Sequence, residues 1–304
     1  MKIVIDGFGG DNAPSAVAEA VEICRREYDA EIIVTDGEPM RVEDDPLTIR
    51  TTKSNTSMGK AFAMLKNGEA DAMVSAGSTA ALMVGGSMIV GRIKGVKRPA
   101  LSPIMPHING NYIILDGGSN LECRPEMLLQ FAIMGSVYMN KIAGIKTPRV
   151  GLLNIGTEEE KGRQLEIETF ELLKSSGLNF VGNVEAREVP LGAVDVIVTD
   201  GFTGNIFLKA VEGMGAFMKH SLNSIFKKNG ATKMGYLFAK SGVMDVRRKT
   251  DYREVGGAPL LGTAKPVIKA HGSSDAKAFK NAIRQAYEFV QSNAINEIEM
   301  ALKK

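Results

Sequence analysis

Short apolar runs alternate along the chain with glycine-rich turns and with longer stretches whose apolar residues recur every three or four positions. "KIVID" leads through "GFGGDNAP" into the helical "SAVAEAVEICRREY", and "AEIIVTD" follows. "DPLTIRTT" takes the strand position ahead of "SMGKAFAMLKNG"; "DAMVSA" precedes "STAALMVGGSMI"; "YIILDGGSN" precedes a long helix near 124–142. That helix sets Met127, Leu128, Phe131, Met134 and Tyr138 on one face, the period of a helix packed on a core. "RVGLLNIG", "LNFVGN", "DVIVTDG" and "PVIKAHG" read as further strands, and "DAKAFKNAIRQAYEFVQSNAINEIEMAL" as a closing helix. Strands that alternate with helices need crossover connections, so the pattern predicts a doubly wound α/β fold with a mainly parallel sheet flanked by helices. No repeat or low-complexity linker interrupts it, and residues 1–304 are expected to form one compact domain, at most two-lobed. The uncharged run Ala72–Gly91 has the length of a membrane span, about 20 residues. Eight of its twenty positions are Gly, Ser or Thr, however, and Gly77 divides it, so it reads as strand, turn and helix.

In an open parallel sheet, ligands gather at the carboxyl ends of the strands. Here those ends carry the turns. The first holds Asp6, Gly9, Gly10, Asp11 and Asn12; the second Ser75, Gly77, Ser78 and Thr79; "DGGSN" ends in Asn120. "NIGTEEEKG" brings Lys161; "DGFTGN" brings Gly201, Thr203, Gly204 and Asn205, with Lys209 one helical turn on; "AHGSS" brings His271, Gly272, Ser273 and Ser274. Unsatisfied N–H groups at helix starts attract anions, and several such turns on one edge point to a phosphate. Lys161, Asn205, Lys209 and His271 are the candidate catalytic groups, the others candidate substrate contacts. Each has a plainer reading: Lys209 as a solvated helix residue, Lys161 as an ion pair with Glu158 or Glu160, His271 as a hydrogen-bonded core residue, Asp200 as a holder of its loop.

Several chemistries lose support. "GFGGDNAP" lacks the G-x-G-x-x-G spacing of dinucleotide folds, and neither a G-x-x-x-x-G-K-[ST] loop nor a G-x-S-x-G elbow occurs. Three histidines, His107, His220 and His271, and two cysteines, Cys24 and Cys123, form no pair at ligand spacing, so neither metal nor cofactor is expected. Such sparse thiols suit a reducing, cytoplasmic setting, and "MKIVID" has no signal-peptide pattern. Charge is uneven. The whole chain is at +2, yet residues 214–249 hold eight Lys or Arg (219, 227, 228, 233, 240, 247, 248, 249) against Asp245 alone. Met214, Phe217, Met218, Leu222, Ile225 and Phe226 form an apolar stripe there, followed by Met234, Leu237 and Phe238. Residues 214–250 therefore read as a protruding basic helical segment. No aromatic-basic interleaving accompanies the charge, so nucleic acid is not an expected partner.

"GGDNAP", "SAG", "KRPALSPIMP", "LECRPEMLLQFAIMG", "PRVGLLNIGTEEEKG", "VGNVEAR", "DVIVTDGFTGNIFLKAVEG", "YREVGGAPLLG" and "AHGSS" together resemble the PlsX family of acyl-ACP:phosphate acyltransferases, in order from Met1 to about residue 292. Ser78 departs from that pattern, standing where the family usually has Asn. The resemblance implies a Rossmann-like sheet of the isocitrate and isopropylmalate dehydrogenase type with a protruding amphipathic helical pair. It further implies a homodimer that converts long-chain acyl carrier protein and inorganic phosphate into acyl phosphate for bacterial phospholipid synthesis. Peripheral contact of the basic segment with anionic membrane goes with it. An acetyl- or butyryl-phosphate transferase using acyl-CoA, and a non-enzymatic membrane scaffold, stay open as alternatives.

Overall fold

The computed structural model describes residues 1–249 and 252–303, with the backbone alone for 245–249, 252 and 253. The chain begins β1 (Lys2–Asp6), α1 (Ser15–Glu27), β2 (Glu31–Thr35), α2 (Ser57–Asn67), β3 (Ala72–Ser75) and α3 (Thr79–Gly85). Then come β4 (Ala100–Leu101), β5 (Ile104–His107), β6 (Gly110–Leu115), α4 (Pro125–Lys141), β7 (Val150–Asn154), α5 (Gln164–Lys174), β8 (Phe180–Glu185) and β9 (Val196–Val198). Two long helices, α6 (Gly201–Lys227) and α7 (Gly230–Lys249), precede α8 (Tyr252–Val255), β10 (Gly257–Leu261), β11 (Val267–Ala270), α9 (Ala276–Gln291) and α10 (Ala294–Ala301).

The strands form two sheets, β2-β1-β3-β11-β10-β4 and β5-β6-β9-β7-β8. β1, β2, β3 and β11 run parallel, as do β6, β9, β7 and β8, while β10, β4 and β5 enter antiparallel. The sheets meet where β4 passes into β5: Ser102 N–H donates to Pro259 O at 2.9 Å on one side, and Ile114 N–H to Pro103 O at 3.0 Å on the other. Strand residues alternate between two buried faces, which is why the runs are continuously apolar rather than amphipathic. Ile3, Ile5, Ile113, Leu115, Val196 and Val198 join one core shared by both sheets and packed under α1, α4 and α9. Val4 and Met73 turn the other way onto α2 and α3, and Tyr112, Ile114 and Ile197 onto the first half of α6.

Two segments depart from the sequence reading. "DPLTIRTT" contains a 3-10 turn, Pro46–Arg50, instead of a strand, because Pro46 fits the first helical position and the Asp45 carboxyl accepts from Leu47 N–H at 3.0 Å. The closing helix is two helices, α9 and α10, broken at Asn293, whose φ of 56° is left-handed. Ala72–Gly91 is β3, α3 and a wide π turn at Gly86–Val90, and among the described residues no helix is long and apolar enough to cross a membrane.

From Met214 onward α6 leaves the core, and α7 folds back along it. Met214, Phe217, Met218, Ile225, Met234, Leu237, Phe238 and Met244 are exposed on this hairpin. Lys219, Lys227, Lys228, Lys233 and Lys240 are exposed beside them. The side chains of Asp245, Arg247, Arg248 and Lys249, and residue 250, lie outside the described residues.

Two glycines of α6 have opposite surroundings. A Cβ on Gly204 would lie 1.9 Å from Asp116 O, whereas one on Gly213 would meet nothing within 4 Å. Gly204→Ala is expected to destabilise the protein by about 1–3 kcal/mol through overpacking, and Gly213→Ala to stabilise it by up to about 1 kcal/mol through helix propensity. Urea denaturation of both variants checks the pair; a Gly204→Ala midpoint equal to wild type would contradict the close approach.

Candidate active site

On the first sheet, the ends of β1, β3 and β11 are stitched together by short polar contacts. Asp6, only 1% exposed, accepts the Ser75 hydroxyl at 2.7 Å and the Ser57 hydroxyl in a short hydrogen bond. Ser75 Oγ in turn accepts from Gly77 N–H at 3.0 Å. Gly9 needs to be glycine here, because a Cβ would fall 2.3 Å from Asp6 Oδ2 and 2.7 Å from Gly77 N. Asp11 N–H donates to Gly272 O at 2.8 Å, and the Asn12 amide donates to Ser273 O at 3.1 Å and Ser274 O at 3.2 Å. Ser78 caps α3 by accepting from Ala81 N–H, with Thr79 exposed as the first helical residue.

On the second sheet, the Asp116 carboxyl organises the turn that follows β6. It is fully buried and accepts from Gly118 N–H at 3.1 Å, Ser119 N–H at 3.1 Å, Ser119 Oγ at 2.6 Å, Asn120 N–H at 2.6 Å and the Asn120 amide at 2.8 Å. Burial pushes this carboxyl up, opposed by those hydrogen bonds. The Asn120 amide also donates to Pro99 O at 2.8 Å, so this side chain ties the turn together. The turn then docks on the start of α6: Gly201 N–H donates to Asn120 O at 2.8 Å, and Gly118 lies against the Asn205 side chain. Asp200, 2% exposed, caps α6 by accepting from Thr203 N–H at 2.7 Å and forms an ion pair with Arg163, which also grips Glu166. Asp200 thus holds its loop, as the plainer reading has it. Gly201 and Gly204 have protein backbone as their near neighbour, at Asn120 and Asp116.

The catalytic candidates are brought together in part. Lys209, exposed on α6, pairs with Glu212 at 2.8 Å, and its charge acts on both Lys269 and His271. His271 is exposed, accepts from Ser273 N–H at 3.2 Å through Nδ1 and has the Ser273 hydroxyl 2.8 Å away, which leaves the proton of the neutral ring on Nε2. Partial desolvation, then the Lys269 charge, lower its pKa from the usual 6.5. Asn205 stands exposed on the first turn of α6. Lys161 is apart. Its stem lies over Gly156 and its carbonyl accepts the Asn154 amide at 2.9 Å, while no hydrogen bond or ion pair of its ammonium, to Glu158, Glu160 or the other candidates, occurs among the described residues.

Four residues absent from the sequence reading shape the site: Ser57, Asp116, Arg163 and Lys269. Lys269 carried the clearest signal, a lysine inside the apolar strand "PVIKA". Neither thiol suits a nucleophile, since burial pushes Cys24 up to about 11 and Cys123 up to about 12. Among the described residues no three His, Cys, Asp or Glu side chains gather at metal-ligand distance. A cavity of about 680 Å³ lies elsewhere, between the β5–β6 hairpin, α4 and α9, lined by residues such as Ile108, Met139 and Gln285.

A family model described as "Fatty acid synthesis protein" matches residues 29–297. A phosphate acyltransferase from Alkaliphilus oremlandii is 44% identical, the match covering 98% of this chain and 96% of that protein. One from Thermoanaerobacterium thermosaccharolyticum is 42% identical over 100% of this chain and 97% of its own length. Among solved structures, EutD phosphotransacetylase from Staphylococcus aureus superposes with a TM-score of 0.60 at 16% identity, covering 97% of this chain and 93% of that one. A phosphotransacetylase from Streptococcus pyogenes gives 0.58 at 19% identity, covering 100% and 94%. At these identities the two structures speak for the shared Rossmann-like, doubly wound fold alone.

The lowered pKa of His271 has a stability consequence. In the unfolded chain the ring binds a proton near pH 6.5, in the folded chain only at lower pH, so stability is highest above 6.5 and falls as pH drops from there to the folded value. His107 contributes in the same direction through its own burial. His271→Gln is therefore expected to show a shallower acid-side loss than wild type in denaturation midpoints between about pH 5 and 7; identical slopes would contradict the assignment.

Proposed function

This chain belongs to the PlsX family of phosphate acyltransferases, and we propose that its own reaction carries a long-chain acyl group from the thioester of acyl carrier protein to inorganic phosphate. The products are acyl phosphate, for phospholipid synthesis, and free carrier thiol. That it is an enzyme of acyl transfer with phosphate follows from its relatives and sets the scaffold alternative aside. One observation supports the reading at this site: the Lys209 charge on α6 acts on His271 at the end of β11, beside turns built of glycine and main chain. Phosphate is already a nucleophile. One of its oxygens attacks the thioester carbonyl, a C–O bond forms, the C–S bond breaks, and the departing thiolate takes a proton.

The protein's part is then to hold and to orient. Fixing both reactants in attack geometry is worth about 7–11 kcal/mol of barrier, and one donor aimed at the developing oxyanion about 2.7–4 kcal/mol. In this reading Lys209 and the main-chain turns hold the phosphate and the neutral His271 donates from Nε2. The Asn205 amide and the Lys161 ammonium stand on the second-sheet side, where the thioester carbonyl enters.

The α6–α7 hairpin supports a second element of the proposal. Its exposed Met214, Phe217 and Met218 suit a face covered by a second copy of the chain, and Met234, Leu237 and Phe238 with Lys233 and Lys240 suit an anionic lipid surface. Each basic residue near such headgroups contributes about 1 kcal/mol.

Two experiments test the proposal. Carrier thiol release from long-chain acyl carrier protein is expected to require phosphate and to exceed release from the matching acyl-CoA. Asn205→Ala and Lys161→Ala are expected to lower kcat by about 10²–10³-fold with unchanged melting temperature. Phosphate-independent release would overturn the reaction, preference for acyl-CoA the carrier, and full activity in both variants their roles. Sedimentation with anionic vesicles is expected to carry the protein down at low salt, less at high salt, and not for Phe238→Asp; salt-insensitive or absent binding would leave the hairpin a packing element.

A further inference from the structure

Lys269 interrupts an otherwise buried strand, and its side chain ends between the carboxyl ends of β3 and β11. Nζ donates to Ala76 O at 3.3 Å and to Ala270 O at 2.5 Å. No carboxylate lies within ion-pair distance of it among the described residues, since Asp6 spends its oxygens on Ser57 and Ser75. A neutral amine with two N–H groups is satisfied by two carbonyls and keeps its lone pair; an ammonium has a third N–H to place. An ammonium left partly buried without a counter-charge is costly, and such positions favour an anion brought in from outside.

The turns beside Nζ present main chain rather than side chains. Gly10 has φ +100°, and a Cβ there would lie 2.8 Å from Ala76 Cβ and 3.0 Å from Gly272 O, so the turn after β1 presses its bare backbone onto the two carbonyl-bearing turns. The Lys209 charge on α6 acts on Lys269 and on His271, which lies two residues further along the same chain segment. Building on the phosphate-dependent reaction proposed above, we infer that Lys269 binds the substrate phosphate: its amine accepts a proton as the anion enters and donates its third N–H to a phosphate oxygen. When dihydrogen phosphate enters, the proton comes from the phosphate itself and leaves the dianion in place; when the dianion enters, it comes from solvent.

The charges facing Lys269 agree with this. Burial pushes it down to about 8, Lys209 on α6 pushes the same way, and Asp6 on β1 with Asp11 in the next turn pull it up. Glu212 pairs with Lys209, and His271 follows Lys269 on the same strand end. Above about pH 8 the empty site holds mostly amine, and a bound dianion, by favouring the ammonium, draws one proton in.

Calorimetric titration of the full chain with inorganic phosphate, at about pH 8.5 in two buffers of different ionisation enthalpy, reads this proton directly. Wild type is expected to bind phosphate with proton uptake. Lys269→Met is expected to bind about tenfold or more weakly, as loss of a charge-assisted hydrogen bond requires. Lys269→Arg, which stays charged at every pH used, is expected to bind phosphate without uptake, an effect that a purely structural lysine would not produce. Wild-type binding without proton uptake, or uptake retained in Lys269→Arg, overturns the role of Lys269 while leaving the phosphate reaction standing. Failure of the wild type to bind phosphate at all overturns both. Should Lys269→Met not fold, the Arg variant decides alone.

Discussion

The close approach of the Asp116–Asn120 turn to the first turn of α6 sets the geometry of the candidate site. Asp116 draws five donors of that turn onto one buried carboxyl, while Gly201 and Gly204 let the turn's backbone come within reach of the helix. Asp200 and Arg163 fix the same helix end from the opposite side. Because α6 is pinned there at both its cap and its flank, the residues one and two turns along are carried to fixed positions, Asn205 against Gly118 and Lys209 beside Glu212. A polar network with all its members satisfied is rigid, which is the property a binding cleft needs from its walls.

Electrostatics at the strand ends follow from which charges have ion-pair partners. Arg163 and Lys209 have carboxylate partners, and Asp6 has hydroxyl donors. Lys269 has no carboxylate within ion-pair distance among the described residues, and both it and His271 lose affinity for a proton through desolvation. The acids at the strand ends thus organise loops, while Lys269 is held by main-chain carbonyls alone.

The architecture was legible in the sequence because strands buried on both faces must be apolar throughout and because the turns between strand and helix are rich in glycine. β1, β3, β9 and β11 fall within the runs read as strands, and β6 begins two residues ahead of its own. The misreadings came from single residues with local chemistry of their own: Pro46 with its Asp45 cap, and Asn293 in a left-handed backbone. The candidate site was legible as a set of loops and much less so as a set of partners. Ser57 reaches Asp6 across 51 positions, and Arg163 reaches Asp200 across 37, distances over which spacing carries no information. The amides of Asn12 and Asn120 look available in a string of letters, yet both donate to main-chain carbonyls of neighbouring loops. Lys269 could have been noticed, since a lysine in an apolar strand calls for a reason, but its neighbours are set by three-dimensional pairing of β11 with β3.

A rod 27 residues long, such as α6, measures about 40 Å from its cap to its far end. Pinned where it begins, it is a lever with a short inner arm and a long outer one. A tilt of about 5° would sweep the outer tip through roughly 3–4 Å and shift Lys209, about 12 Å from the fulcrum, by only about 1 Å. Whatever displaces the outer tip thus reaches Lys209 at only about a third of its size.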